Sequence, residues 1–322
     1  MRRLDLAYLL LAAALLLAPL AVSGWQLTQL AQLCCYGLLA LSLALIWGQA
    51  GLLCFGQSLF FGLGAYTMSL ASLDMLPWPR GVGASWLSLA LACLVPALAA
   101  QVLGRFLFHG RGLRGAYFGI VMLAVSLMAE RLATSWDYVG GLNGLINVPP
   151  FSPWAGLELQ EPRAVWWAMA AAVLLALLLL EGLARSRAGI VLRAIRDDED
   201  RVALMGYDVA QWKTSALTLS AAVAGLGGAC FVAQFGFVSP ALIGFALSTE
   251  ALIWVALGGR GLLLGAFLGA VIVRWGEGAL SEQLGGWWLL VIGALFVLSV
   301  ILFPRGLVAE PLLRWAERQP RR

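Results

Sequence analysis

Hydrophobic and polar positions along the chain fall into long apolar blocks separated by short polar or charged ones. A helix crosses a bilayer with about 20 mostly apolar residues, and blocks of that size occupy roughly 4–22, 27–47, 52–73, 84–104, 117–134, 164–184, 213–236 and 285–303. Each predicts a membrane-spanning helix. A further apolar stretch, 245–275, is interrupted by LGGRGLL at 257–263, which leaves two pieces shorter than the usual span. One block raises a separate question: 47–72 is long enough to cross, yet carries glycine at 48, 51, 56, 62 and 64.

Composition agrees with the pattern, because a chain of 322 residues with 61% hydrophobic and 12% charged residues cannot place a polar surface over a soluble core. Basic residues decide how the broken stretch is counted. With two short crossings in 245–275, the inside receives Arg2, Arg3, three sites in 105–116, six in 185–213, Arg260 and five in 304–322. Only Arg80, Arg163 and Arg274 then lie outside, with Arg131 inside a span. A single crossing would put the basic tail outside. The expected fold is therefore an all-α, polytopic membrane helix bundle. It has about ten transmembrane or half-spanning segments, both termini in the cytoplasm, and one transmembrane domain over 1–322. The first block has a basic start and ends in Ala21-Val22-Ser23, like a cleavable signal. An uncleaved first span is expected, and cleavage would leave the remaining topology unchanged.

Little catalytic or metal chemistry is on offer. Cys34, Cys35, Cys54, Cys93 and Cys230 lie in apolar segments without CxxC spacing and read as packing residues. His109 is the sole histidine and reads as a solvated loop residue. Glu130 and Arg131 adjoin near the outer end of the fifth span, as an interfacial pair. Glu250 reads as a carboxylate at the amino terminus of the broken segment, where the helix dipole favours it. No chain of intramembrane acids suggests a proton-coupled carrier. No metal or other cofactor is expected, and nucleic acid is not among the expected partners.

The longest charged segment, RSRAGIVLRAIRDDEDRVALMGYDVAQWK at 185–213, falls inside. Apolar Ile190, Val191, Leu192, Ile195, Val202, Leu204 and Met205 interleave with Arg193, Arg196, Glu199 and Arg201, which predicts short amphipathic helices. Anionic lipid would repel the acidic run Asp197-Asp198-Glu199-Asp200, and Gly206 supplies a sharp stop. An apolar ridge flanked by both signs of charge suits a groove on another protein better than a membrane surface.

Five segments in order, GQAGLLCFGQSLFFGLGAY (48–66), YVGGLNGL (138–145), 185–213, ALIWVALGGRGLLLGAFLGAVIV (251–273) and FPRGL (303–307), resemble the M-type permease subunit of branched-chain amino-acid ABC importers. AIRDDEDRV and IWVALGGRG look closest to the urea-type branch of that family. Where many members carry Ser and His near positions 54 and 57, this chain has Cys54 and Gln57. The resemblance implies a non-catalytic subunit in the inner (plasma) membrane. Its partners would be a second homologous permease, two ATP-binding subunits and an extracytoplasmic solute-binding protein. The chain lacks a GxxxxGK[ST] phosphate loop, and its only lysine, Lys213, follows Trp212. By the same likeness 185–212 is the cytoplasmic coupling segment, with Arg193, Arg196, Glu199 and Arg201 around Ala203 and Gly206 as a small-residue contact for the ATPase. Residues 304–322 form a cytoplasmic tail.

The glycines then have two readings: seams where helix backbones approach, or places where a pathway unwinds a helix. Gly48, Gly51, Gln57, Ser58, Gly62, Tyr66, Gly258 and Gly261 are the residues expected to line a translocation path or pack helices. Gly258-x-x-Gly261-Leu-Leu echoes Gly48-x-x-Gly51-Leu-Leu, which places two Gly-rich segments face to face. The outer loop 135–163, with Tyr138 and Asn143, reads as a docking face for the binding protein or as an interfacial loop anchored by Trp136 and Trp154. A branched-chain amino acid is the expected cargo, with urea or another small amide as the alternative. An ATP-independent carrier or channel would leave the mixed-charge cytoplasmic helix unexplained, and an intramembrane enzyme would need an acid, base or metal constellation that is not found.

Overall fold

The computed structural model describes residues 3–75, 82–109, 112–113, 115–153, 161–284, scattered positions between 287 and 297, and 306–317. The span expected at 285–303 lies almost wholly outside the described residues, as do Trp154, Arg80 and the end of the tail. In chain order the helices are α1 (Arg3–Ala21), α2 (Gly24–Ala44), α3 (Gln57–Ser72), α4 (Val82–Phe108), α5 (Ala116–Ser135) and α6 (Pro162–Arg185). They continue with α7 (Arg187–Asp197), α8 (Glu199–Leu204), α9 (Val209–Phe235), α10 (Phe245–Gly258), α11 (Leu263–Leu284) and α12 (Ala309–Glu317). Among the described residues there is no β-strand, only one antiparallel bridge between Leu145 and Val238. Among the described residues, six segments are long and apolar enough to cross a membrane: Gly24–Gln49, Ser85–Phe108, Ala116–Ser135, Pro162–Arg185, Val209–Phe235 and Pro240–Gly258.

Two helices make the core. Every residue of α2 and its continuation from Leu33 to Ile46 is buried, and α2 packs on α6, α9, α10 and α11. Helix α9 packs on α2, α3 and α4. In hydrocarbon, apolar surface gives no drive to associate, so close approach must supply the attraction. The seams show it. A Cβ at Gly64 would lie 2.3 Å from the Gly225 carbonyl oxygen, and one at Gly228 2.0 Å from that of Phe61, so α3 and α9 touch backbone to backbone. Gly225 meets the Ala92 carbonyl of α4 in the same way.

Two spans are broken, and the breaks differ from expectation in one respect. The interruption at Gly259–Leu262 separates α10 from α11 as the sequence predicts. The expected span at 52–73 begins later: α2 ends in a π-helical turn, Leu45–Gln49, and 50–56 has no helical structure. Apolar Leu52, Leu53, Cys54 and Phe55 read as helical by composition. Here they run along α5, with the Leu53 carbonyl against Gly119 and Gly56 against the Met122 carbonyl. Helix α3 therefore starts inside the bundle, at the level of Ser126.

At its start α3 meets the start of α10. Ser58 Oγ donates toward the Ile243 and Gly244 carbonyls (2.8 and 2.7 Å) and lies 2.7 Å from Ser248 Oγ, while Ser126 Oγ donates to Ile243 O at 2.7 Å. The hydroxyls take up backbone carbonyls that the turn before α10 leaves free, which is how irregular backbone is tolerated at membrane depth.

The two ends of the bundle are distinguishable by what converges there. One end gathers the beginning of α1, the end of α2, α7, the α10–α11 turn and α12. Asp5 pairs with Arg185 (2.9 Å), Tyr8 donates to Glu181 (2.8 Å), and Leu307 N donates to Leu257 O (2.7 Å). The other end gathers Gly24 against Pro162, the 3₁₀ turns Asp137–Val139 and Gly141–Asn143, and the bridge to Val238.

Candidate functional site

The segment between α6 and α9 is built from its caps. Asp198 and Asp208 accept hydrogen bonds from Arg201 N and Gln211 N, both 3.0 Å, and so start α8 and α9. The acidic run is thus partly a capping device. Glu199 pairs with buried Lys213 at 2.5 Å, which fixes α8 to α9. Ile195, Val202 and Val209 form a small apolar core beneath the segment. Among exposed charged residues of the segment, the turn after α8 presents apolar side chains: Leu204 is 89% exposed and Met205 68%, with Tyr207 beside them. Between them Gly206 has φ +88° and open space around its Cα, and Ala203 is also exposed. Leu204 and Met205 belong to the apolar ridge expected to meet a partner, whereas Tyr207 was not among the expected contact residues, although its place next to Gly206 was visible.

Two of the three arginines expected at the coupling contact also reach back to the bundle, and Arg196 in addition pairs with Asp197 at 3.0 Å. Arg196 Nη1 donates to Gly48 O (2.7 Å), and Arg193 Nη1 donates to Gln49 Oε1 (3.1 Å) and Ala184 O (2.8 Å). Arg196 holds a carbonyl at the end of the π-helical turn, where a cation also complements the helix dipole, and Arg193 joins the Gln49 side chain to the end of α6. Arg201 is exposed and pairs with Asp198 at 3.4 Å.

The same place holds the second broken span. A Cβ on Gly48 would fall 1.9 Å from Arg260 O, and the Arg260 guanidinium lies 5.4 Å over the Trp47 ring. Gly51 has φ +73° and packs on the Arg196 side chain. Gly258 contacts the Gly265 backbone, and Gly261 is exposed, with open space within 4 Å of where a Cβ would stand. A clasp results: α7, the end of α2 and the α10–α11 turn are one contact, surrounding a cleft of about 380 Å³ that Arg193, Arg185 and Gly261 line.

The remaining expected path residues are enclosed. Gln57 is fully buried, its Nε2 donating to Ser42 Oγ (2.9 Å) and Ser220 Oγ (2.8 Å), and its Oε1 has no partner among the described residues. Gly62 packs on Ile243, and the buried Tyr66 hydroxyl has no partner among the described residues. At the opposite end Tyr138 donates to Met75 O at 2.7 Å, and Asn143 is exposed. Leu142 and Ile146 are exposed beside them, and the loop is held to the end of α9 through Leu145 and Val148.

Two charged residues lie where the sequence did not place them. Arg274 is near the middle of the 22-residue α11, not in an outer loop, and Glu250 is in the second turn of α10, not at its amino terminus. Arg274 Nη1 is 2.6 Å from Glu277 and 3.6 Å from Glu250, and its guanidinium lies 4.8 Å over the Tyr36 ring. Sorting basic residues between loops hid them. The i,i+3 spacing of Arg274 and Glu277 on one helix was the available signal. The five cysteines are free and buried or half-buried.

Comparison with known proteins adds the family. Residues 27–300 match the family described as "Branched-chain amino acid transport system / permease component". The chain is 32% identical over 296 residues to the high-affinity branched-chain amino acid transport system permease protein LivM of Salmonella typhimurium, covering 85% of this chain and 67% of that one. LivM of Escherichia coli K12 matches to the same extent. LivH of Salmonella typhimurium, also a permease protein of that system, is 25% identical over 292 residues, covering 86% of this chain and 92% of that one. No solved structure matches the chain.

Proposed function

Since the chain belongs to the family of permease components of branched-chain amino-acid transport systems, we propose that it is one transmembrane subunit of an ATP-driven importer in the inner membrane. A second, homologous permease, two ATP-binding subunits and an extracytoplasmic binding protein complete the assembly, and the cargo is a branched-chain amino acid. The end of the bundle that carries α7, α8, Arg260 and α12 faces the cytoplasm, which is the side the basic residues favour. About ten segments cross or half-cross, the broken α10–α11 pair among them.

The observation that carries this reading is the rigidly held, outward apolar turn Leu204-Met205-Gly206-Tyr207. A surface so apolar, on a segment capped at both helices and bonded through Glu199 to Lys213, fits a groove in a partner. Behind it Arg193 and Arg196 reach the end of α2 and Gly48 touches Arg260, so displacement of α7 is communicated to both broken spans. The loop that carries Tyr138, Leu142 and Asn143 at the other end is the docking face for the binding protein.

Reconstitution tests it. Proteoliposomes holding both permeases and the ATPases should take up leucine only with ATP at the cytoplasmic face and loaded binding protein at the other. Gly206→Glu should abolish ATPase recovery in pull-downs and uptake, while the chain still reaches the membrane. Uptake of urea in place of leucine would move the cargo assignment, and transport by the purified chain alone would remove the importer reading.

A further inference from the structure

The outside of the bundle is not uniform. Along α4 (86–102), α5 (120–128) and α6 (167–179) every exposed residue is apolar, among them Leu94, Leu98, Ile120, Met128 and Leu178. Such faces suit acyl chains. Between α2 and α11 the surface is instead a groove of about 680 Å³, into which Gln26, Gln29, Gln32, Arg274 and Glu277 project beside Trp25 and Trp275. Gly24 begins α2 at the end opposite the clasp, so the groove opens at the outer end of the bundle. Arg274 stands eleven residues past the start of α11, roughly 16 Å along the axis at 1.5 Å per residue. The groove therefore descends from the outer face to about half the bilayer thickness.

Its floor is charged and incompletely covered. The side chains of Arg274, Glu250 and Glu277 keep 26, 33 and 11% of their exposure. Ionisable groups at that depth are not left facing hydrocarbon; they face a partner or a water-filled cavity. One guanidinium lies within reach of two carboxylates, with an aromatic face beneath it. This combination presents both signs of charge at one point, between apolar indole walls.

We propose that the α2–α11 groove is this subunit's share of the outer half of the substrate path, and that the Arg274–Glu277–Glu250 cluster is a transient binding site for a zwitterion. The site rests on the permease reading above, with the second permease closing the groove. Arg274 pairs with the α-carboxylate through its planar fork. Glu277 and Glu250 pair with the α-ammonium, and Trp25 and Trp275 border the aliphatic side chain. Because the protein charges already pair with one another, the zwitterion exchanges one set of ion pairs for another. Neutral urea has no charge to exchange, so the cluster favours an amino acid over an amide.

The complete transporter in proteoliposomes tests this. With saturating loaded binding protein, Arg274→Gln and Glu277→Gln should each lower the leucine uptake rate at least tenfold, with both permeases still co-purifying, and Arg274→Lys should recover part of the rate. In a background without the five native cysteines, Gln29→Cys and Gly278→Cys should react with a charged methanethiosulfonate at least tenfold faster than Leu178→Cys on α6, in the nucleotide-free or the ATP-trapped state. Modification at 278 should block uptake. Groove cysteines as slow as the α6 position in both states would overturn the site, as would full uptake after complete modification at 278 or a full rate in Arg274→Gln. If the arginine substitutions prevent assembly, the labelling decides. A wild-type transporter that moves no branched-chain amino acid would instead overturn the cargo assignment on which the site rests, whatever the labelling shows.

Discussion

Gly48-Gln-Ala-Gly51-Leu-Leu and Gly258-Gly-Arg-Gly261-Leu-Leu have the same spacing and lie against each other at one end of the bundle, yet they break their helices differently. The first motif ends α2 in a π-helical turn and hands the chain to seven non-helical residues, with Arg196 holding the Gly48 carbonyl and Arg193 the Gln49 side chain. The second makes a short turn between two helices, and it is held by backbone: Gly306 on Gly259, and Leu307 N on Leu257 O. In the first motif both glycines are committed. In the second only the leading one is. The side-chain clasp on the first ties it to α7, so in the proposed importer the motif that α7 grips is the one that would respond to an ATPase, whereas the backbone clasp ties the second to residues 306 and 307.

The largest effect should come from the leading glycines, where the two motifs agree. Gly48→Ala puts a methyl 1.9 Å from Arg260 O, and Gly258→Ala puts one 2.2 Å from Gly265 O; both neighbours are backbone and cannot step aside as a side chain would. Overpacking of this kind costs about 1–3 kcal/mol, and these two should fall at the upper end. Thermal unfolding of the purified chain in detergent should show a clear loss of stability for both, with uptake lost as well. A wild-type melting profile for either would mean that the two spans do not meet at these glycines.

Next come the residues on which the motifs differ. Gly51→Ala must hold an L-residue at φ +73°, a conformation that costs roughly 1–2 kcal/mol, and its methyl would meet Arg196 Cγ at 2.5 Å. Since that atom belongs to a flexible side chain, the arginine can move, but only by leaving the Gly48 carbonyl. Arg196→Ala removes the same bond directly and should cost about 1 kcal/mol, below the usual range for hydrogen bonds to charged groups because the side chain is partly solvated. The double substitution should destabilise less than the sum of the singles. Uptake should fall several-fold in each, with ATPase recovery unchanged, because the proposed docking turn at 204–207 is untouched. Full additivity in melting measurements would show that Gly51 and Arg196 do not share the contact.

How far the sequence reveals this arrangement depends on the range of the interactions. Span lengths and the break at 259–262 are local properties of apolar runs and glycine, and they are legible. The amphipathic character of 185–213 and its stop at Gly206 are local as well. The late start of α3 is not, because Leu52 to Phe55 have helical composition and lie outside a helix only through packing on Gly119 and Met122. Arg193 and Arg196 read as coupling residues, and nothing nearby in sequence indicates that they also reach Gln49 and Gly48, more than 140 positions away. Charge sorting alone places Arg274 outside the bundle's crossings. A rule that distributes basic residues between loops has no place for one that pairs with Glu250 and Glu277 inside the bundle.

The smallest effect is expected at Gly261, and it sharpens the comparison most. Its counterpart Gly51 is held at positive φ and packed on Arg196, whereas Gly261 is exposed, lacks a positive φ, and offers a new methyl nothing to meet within 4 Å. Replacing glycine by alanine at a compatible backbone position lowers the entropy of the unfolded chain, which stabilises by about 0.4–1 kcal/mol. Gly261→Ala should therefore melt at or slightly above the wild-type temperature, and in the reconstituted transporter it should keep the wild-type uptake rate. If stability holds while uptake falls, the exposed turn meets another subunit, and the second motif is committed through assembly instead of through its own fold. If stability itself falls, the asymmetry between the two motifs is wrong at its simplest point, since no contact among the described residues would account for the loss.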